Sequence, residues 1–161
     1  VFGFKKKQTA VALKAIANGQ LMPITAVADE VFSQKMMGDG FAIEPTTGTI
    51  TAPADGEIKT IADTKHAVML TTPDGLELML HLGLDTVELK GAPFDVKVQV
   101  GERVTAGQPL VQMDLAAVKA AGKQTTVIMV ITNMDHVDQL TVTAPTTVTP
   151  ADDAATVTVK A

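Results

Sequence analysis

In a chain without cysteine, three histidines (His66, His81 and His136) carry the side chains best suited to nucleophilic, acid–base or metal chemistry near neutral pH. His81 has the most telling surroundings. It lies in the run Gly75 to Gly91, GLELMLHLGLDTVELKG. There Leu76, Leu78, Leu80, Leu82 and Leu84 recur at every second position, the period of a half-buried strand with its leucines on one face. Glu77, Met79, His81, Gly83 and Asp85 fall on the other. The imidazole is thus expected to point away from the leucine core, among small and apolar neighbours. His136, in NMDHVDQL, sits among polar and acidic residues and reads as solvated and structural.

His66 opens a second strand-like segment, HAVMLTT, and Thr72 to Gly75 reads as the turn that joins it to the His81 strand. Pro73 suits the first central turn position and Gly75 the one that needs positive φ. A two-residue loop, Pro73-Asp74, sets His66 directly opposite His81, with Cβ atoms about 5 Å apart. A three-residue loop with a bulge at Gly75 shifts the pairing by one and is expected to separate the faces. Both registers fit the residues. Two facing imidazoles suit three tasks. One can accept a phosphoryl group while the other bonds its oxygens. Both can ligate zinc, with Asp85 or water completing the site. Or they are ordinary surface residues, the commonest state of a lone histidine.

The elements that must position these residues are short. Turn signals recur at Asn18-Gly19, Gly38-Asp39-Gly40, Thr47-Gly48, Asp55-Gly56, Pro73-Asp74-Gly75, Gly101 and Gly107. Between them lie β-branched segments such as 48–52, 96–100 and 125–132. Many strands at this spacing predict an all-β, single-domain antiparallel β-sandwich or barrel. One or two short helices are expected, the better over 115–121 ending at Gly122, the other over 134–140. An internal echo points to duplication. KAIANGQLMPI (14–24) aligns with TAPADGEIKTI (51–61), with identities at Ala15/Ala52, Ala17/Ala54, Gly19/Gly56 and Ile24/Ile61. One pair is too few for a solenoid and fits two similar hairpin units in one barrel.

Composition narrows the function. At 161 residues one domain is expected. A net charge of −5, with five phenylalanines as the only aromatics, excludes a basic footprint or stacking platform for nucleic acid. The absence of cysteine rules out disulfides and thiolate metal sites. No apolar run approaches the roughly 20 residues of a membrane span. Phe2, Phe4 and Lys5 to Lys7 are too short for a signal peptide, so residues 1–10 are expected to be a flexible tail before a domain over 11–161.

The run Gly75 to Val87 resembles the signature of the glucose-family IIA component of the bacterial phosphoenolpyruvate-dependent sugar phosphotransferase system. There a glycine and an apolar triplet precede the phosphorylated histidine, and an apolar-Gly-apolar-x-Thr sequence follows it. Thr64-Lys65-His66-Ala67 is similar to the segment with the second active-site histidine. Asp29-Glu30-Val31-Phe32 and Met36 to Pro45 resemble the rim beside the pocket. Gly48 to Ile58, Val98 to Leu110 and Asn133-Met134-Asp135 extend the likeness over about 11–159. Two departures stand out. A Val-x-x-Gly turn near the C-terminus is replaced by Val148-Thr149-Pro150-Ala151-Asp152, and rim positions often occupied by Phe are Ala62 and Met79.

The resemblance implies a duplicated hybrid-motif architecture and a phosphoryl carrier that forms a phosphohistidine. His81 would accept phosphate through Nε2 from the carrier protein HPr, its Nδ1–H held by the backbone at Gly83, with Asp85 in the site. His66, oriented by Thr64, would donate to the phosphoryl oxygens. The group would pass to the cysteine of a sugar-specific IIB domain. Val31, Phe32, Met36, Met37, Met79 and Val87 would form an apolar docking rim for both partners. No cofactor is required on this reading. Zinc bridging His66 and His81 with a partner, and regulatory binding to permeases or kinases, are further implications. So are a monomeric state and a cytoplasmic location, with docking at the inner membrane face through a IIBC partner. Two rivals remain. A LytM-type zinc hydrolase is suggested by His81-x-x-x-Asp85, but its H-x-H pair is missing. A biotinyl/lipoyl-like carrier is suggested by Ala52 to Gly56 and Val100 to Gly107, but the Met-Lys-Met hairpin is absent.

Overall fold

The computed structural model describes residues 9–160. Those residues are mainly β-strand, in three antiparallel sheets, with strands numbered in chain order. The body is one eight-stranded sheet. It contains β2 (Gly19–Pro23), β3 (Asp39–Pro45), β5 (Gly56–Ile61) and β6 (Ala67–Thr71). Its other members are β7 (Glu77–Leu84), β9 (Arg103–Val104), β11 (Gln124–Ile131) and β13 (Thr147–Val148). Two three-stranded sheets complete the barrel. One joins β1 (Thr9–Lys14), β14 (Asp153–Val159) and β12 (Val137–Val142); the other joins β4 (Thr49–Thr51), β10 (Pro109–Met113) and β8 (Phe94–Val96). The expected tail over 1–10 lies outside the described residues except for Thr9 and Ala10. Both pair with β14.

The echo in the sequence is an echo in space. The large sheet runs β13-β2-β3-β11-β7-β6-β5-β9, so β2 and β5 are each second from an edge. The segments that lead into them bond reciprocally. Lys14 N–H donates to Pro53 O and Thr51 N–H donates to Ile16 O, both at 2.8 Å, first residue of one copy to third residue of the other. The edge strands repeat the relation: Gly19 and Gln20 pair with Val148 and Thr147 as Gly56 and Glu57 pair with Val104 and Arg103. This explains why the C-terminal departure is harmless. Asp152 N–H closes a turn on Thr149 O just as Gln108 N–H does on Thr105 O. In the second copy Gly107 has φ +86°, whereas in the first Ala151 is not among the positive-φ residues, so the turn closes there without glycine.

Alternation splits the apolar residues into two layers. Leu76, Leu78, Leu80 and Leu82 lie in the main core with Phe41, Ile43 and Met129. Full burial of each such side chain stabilises the fold by about 1.5–3 kcal/mol. On the opposite face of the sheet, a smaller cluster joins Ile24, Val27, Phe32, Met79, Ile128 and Val130. The second cluster is the bed on which the histidines lie. One leucine departs from expectation: Leu84 belongs to this second cluster and not to the leucine face. Gly83 adopts φ +82°, and β11 carries a bulge between its pairings of Val127 with Leu82 and Gln124 with Leu84. The kink ends the strict two-residue period.

The helical expectations are met in one place and corrected in another. α2 (Leu115–Ala120) stops before Gly122 at φ +77°, its first turn capped by the Asp114 carboxylate accepting from Ala117 N–H. Residues 134–140 give only one 3₁₀ turn, Met134–His136, before the β-branched residues of β12 take over. The strand expected over 96–100 stops at Val96. A four-residue helix, α1 (Glu30–Ser33), carried no apolar period long enough to be read in advance. Its start is set by the Asp29 carboxylate accepting from Val31 N–H.

Candidate active site

The turn between β6 and β7 settles the register. Thr72 N–H bonds Leu76 O and Gly75 N–H bonds Thr72 O, with Gly75 at φ +86°: a three-residue loop ending in a left-handed residue. Asn133 clamps it, its side chain donating to Gly75 O and accepting from Glu77 N–H. Ala67 therefore opposes His81, and His66 stands one place short of direct pairing. Yet the rings meet. Their centroids are 5.1 Å apart, edge to face. The expected separation fails because β6 begins only at Ala67 and His66 belongs to the bend before it. Lys65 there has φ +60°, and its N–H bonds Ala62 O. Outside the regular pleat, the His66 ring is free to turn onto the His81 face, while its carbonyl still accepts from Leu82 N–H at 2.7 Å.

Each ring is held at Nδ1. His81 Nδ1 is 2.8 Å from Gly83 O. A carbonyl can only accept, so Nδ1 carries the proton and Nε2 is left with a bare lone pair. His66 Nδ1 is 2.7 Å from Thr64 Oγ1. The Phe32 ring packs beside His81 at 4.8 Å between centroids. Burial is the main reason that His81 is pushed down from 6.5 to about 4, with the neighbouring His66 acting the same way. The Gly83 carbonyl, Asp29 and Asp85 pull in the opposite direction without overcoming it. Burial lowers His66 too. Both rings are neutral at pH 7, and a neutral imidazole is the nucleophilic form.

The hollow has a volume of about 380 Å³. Of the six expected rim residues, Val31, Met37 and Val87 line it and are 41%, 42% and 48% exposed. Phe32 and Met79 line it as well but are buried, in the cluster beneath the rings. Met36 is 69% exposed and lines the adjoining hollow with Met37 and Met134. Asp85 lines the mouth in a left-handed conformation at φ +58°. Asp29, in a segment that resembles the rim, lines the hollow as well; the resemblance gave it no role of its own, although an aspartate preceding Glu30-Val31-Phe32 is a helix-cap signal. Thr86, the threonine of the signature after His81, is buried at the hollow's edge; the resemblance assigned it no role. His136 is exposed and lies against Gly75, in keeping with a structural place.

Two imidazoles supply two metal ligands. Among the described residues no group of three or more His, Cys, Asp or Glu side chains is placed to hold a metal ion, so Asp85 does not complete a zinc site with the pair. A third ligand would have to come from another molecule.

The burial of His81 carries a prediction. Its folded pKa lies below the unfolded value, so the unfolded chain binds more protons between pH 6.5 and about 4. Stability is therefore present above pH 6.5 and lost as the pH falls through that window, by up to about 3 kcal/mol from this residue. Urea melts at pH 7 and pH 4.5 are expected to show a smaller acid loss for His81→Gln than for the wild type. Equal losses would mean that His81 is not held in its neutral form.

A duplicated antiparallel barrel with a histidine pair in an apolar hollow defines a narrow class of protein. A family model described as phosphoenolpyruvate-dependent sugar phosphotransferase system, EIIA 1, matches residues 11–137. The glucose-specific EIIA component of Halalkalibacterium halodurans is 44% identical over 143 residues, covering 84% of this chain and 83% of that protein. The glucose-specific EIICBA component of Streptococcus pneumoniae is 49% identical over 123 residues, 76% of this chain but 17% of that protein. Against it and the EIICBA component of Staphylococcus saprophyticus, the chain spans less than a fifth of the relative's length. The solved glucose permease IIA of Mycoplasma capricolum superposes with a TM-score of 0.80 at 33% identity, covering 97% of this chain and 99% of that one. The chain belongs to the EIIA 1 family of the phosphoenolpyruvate-dependent sugar phosphotransferase system. The hydrolase alternative has no support beside this assignment.

Proposed function

We propose that the chain is a phosphoryl carrier whose acceptor is His81. The observation that carries this reading is the bond from His81 Nδ1 to Gly83 O, which leaves Nε2 unprotonated toward the hollow. Phosphoryl transfer needs positioning and charge stabilisation more than covalent machinery. The Nε2 lone pair attacks the phosphorus of phospho-HPr, the donor's P–N bond breaks, and its electron pair returns to the donor ring. No proton has to leave His81. Thr64, donating to His66 Nδ1, leaves the His66 proton on Nε2, where it bonds a phosphoryl oxygen as charge shifts. In the second transfer a IIB cysteine thiolate takes the group and His81 recovers its lone pair.

The hollow supports the same reading. Its apolar walls exclude water, which protects a P–N bond from hydrolysis. Val31, Met37 and Val87 offer an apolar surface to partners, and methionine adapts to more than one. Asp29 and Asp85 place negative charge beside an incoming phosphoryl group. Both partners must therefore bring cations, and salt should slow transfer. The EIICBA relatives support docking beside a membrane-bound partner and a cytoplasmic location for the exchange. Among the described residues no helix is long and apolar enough to cross a membrane. Glucose is the sugar in the relatives' names, and its selection lies with the partner domains. Zinc between His66, His81 and a partner carboxylate, with control of permeases or kinases, would use this same face.

The test is incubation with phosphoenolpyruvate, the upstream enzyme and HPr, followed by peptide mapping. Acid-labile, alkali-stable phosphate is expected on His81, and its absence there would refute the assignment. His66→Gln is expected to accept phosphate and to pass it to a IIB domain at least tenfold more slowly, the scale of one positioned proton donor. Wild-type rates in both steps would remove His66 from the mechanism.

A further inference from the structure

The peptide that aims His81 is held by a residue with no part in the chemistry described so far. Gly83 has to be glycine. It lies at φ +82°, and a Cβ there would fall 2.4 Å from Thr86 Cγ2 and 3.0 Å from Gln124 O. Glycine is also the residue with the widest backbone freedom. Left to itself, the Leu82–Gly83–Leu84 bend could swing the Gly83 carbonyl away from His81. Something must hold it.

Thr86 is fully buried at the start of the 3₁₀ turn Thr86–Leu89. Asp85, left-handed at φ +58°, reverses the chain so that Thr86 folds back over Leu82 and Gly83. Its hydroxyl donates to Leu82 O, and its methyl fills the space beside the Gly83 Cα. Leu82 O belongs to the peptide immediately before the one whose carbonyl bonds His81 Nδ1. Fixing the first plane, with Gly83 confined by the Thr86 methyl and Gln124, fixes the second. The Lys123–Glu88 ion pair ties the same turn to the start of β11.

We propose that Thr86 is a positioning residue for the phosphoacceptor: its hydroxyl locks the Leu82–Gly83 bend, so that the Gly83 carbonyl holds the His81 Nδ1 proton and Nε2 stays bare. The inference rests on His81 being the acceptor. A threonine bonded to the carbonyl four residues back is also a common turn stabiliser, and that role alone would not alter the tautomer of a histidine five residues away.

The test compares Thr86→Val, Thr86→Ala and Thr86→Ser with the wild type. Long-range ¹⁵N–¹H spectra of ¹⁵N-histidine protein read the His81 tautomer, and phospho-HPr reads the transfer rate. Valine and alanine are expected to give a mixture of Nδ1–H and Nε2–H forms. Phosphorylation should slow at least tenfold, toward the roughly hundredfold that an ångström of misplacement costs. Serine, which keeps the hydroxyl, is expected to behave as wild type in both readouts. Alanine leaves no bulk to misfit and carries the comparison if the valine variant does not fold. An undisturbed Nδ1–H form in Thr86→Ala, or equal mixtures in Thr86→Ser and Thr86→Ala, would overturn the proposal. A wild-type protein that is not phosphorylated on His81 would refute the acceptor reading, while the tautomer comparison would still decide what Thr86 does.

Discussion

His81→Gln is expected to take up no phosphate from phospho-HPr, because the variant lacks the one atom placed to receive it. The other nitrogen in the hollow, His66, is bonded through Nδ1 to Thr64, which leaves its Nε2 protonated on the proposed reading. Glutamine is close to imidazole in reach but has no comparable nucleophilic lone pair. The variant should fold. It loses the bond to Gly83 O, worth about 1 kcal/mol, and part of the packing against Phe32. Rapid-quench labelling with radioactive phosphoenolpyruvate checks the loss, and a thermal melt at pH 7 checks the fold. Label that moves to His66 would exchange the two roles, and label retained elsewhere would end the proposal.

Gly83→Ala is expected to have the second-largest effect, on stability and transfer together. Its Cβ has no room: the Thr86 methyl and the Gln124 carbonyl stand where it would go, and φ +82° is strained for any L residue. Relief requires Thr86 to move or the bend to open, and either displaces the carbonyl that holds His81. A loss of about 2–4 kcal/mol in urea melts is expected, the range for a named backbone and packing conflict. Transfer from phospho-HPr should fall at least tenfold. Unchanged melting and transfer would show that the bend tolerates a side chain and that the Gly83 carbonyl does not set the ring.

Legibility differed from element to element for physical reasons. The alternation of Leu76 to Leu82 placed His81 on the outer face because a two-residue period is a local property of an extended chain. Leu84 escaped that rule, since a glycine at positive φ and a bulge in another strand reset the phase. The Asn/Asp-Gly echo revealed the duplication because each copy must turn into an equivalent strand. Its reciprocal bonds between Lys14 and Pro53 and between Thr51 and Ile16 join segments 37 positions apart in the alignment, and no local pattern foretells them. The helix α1 was not legible because four helical residues carry no period, only the Asp29 cap.

The residues of the pair were legible from the sequence alone. His81 stands in an alternating strand, His66 at the head of the strand before it, with Thr64 and Gly83 at their spacings, in an all-β chain that resembles one family along most of its length. Their meeting was not. The turn at Pro73-Asp74-Gly75 admitted two registers, and the register that forms is the one expected to part the rings. Only the tertiary structure shows that His66 lies in a bend outside the pleat, so its ring can turn to within 5.1 Å of His81. The reason is that alternation governs side chains inside a ladder, whereas a residue at its entrance is directed by the bonds of its loop and by the strand it reaches.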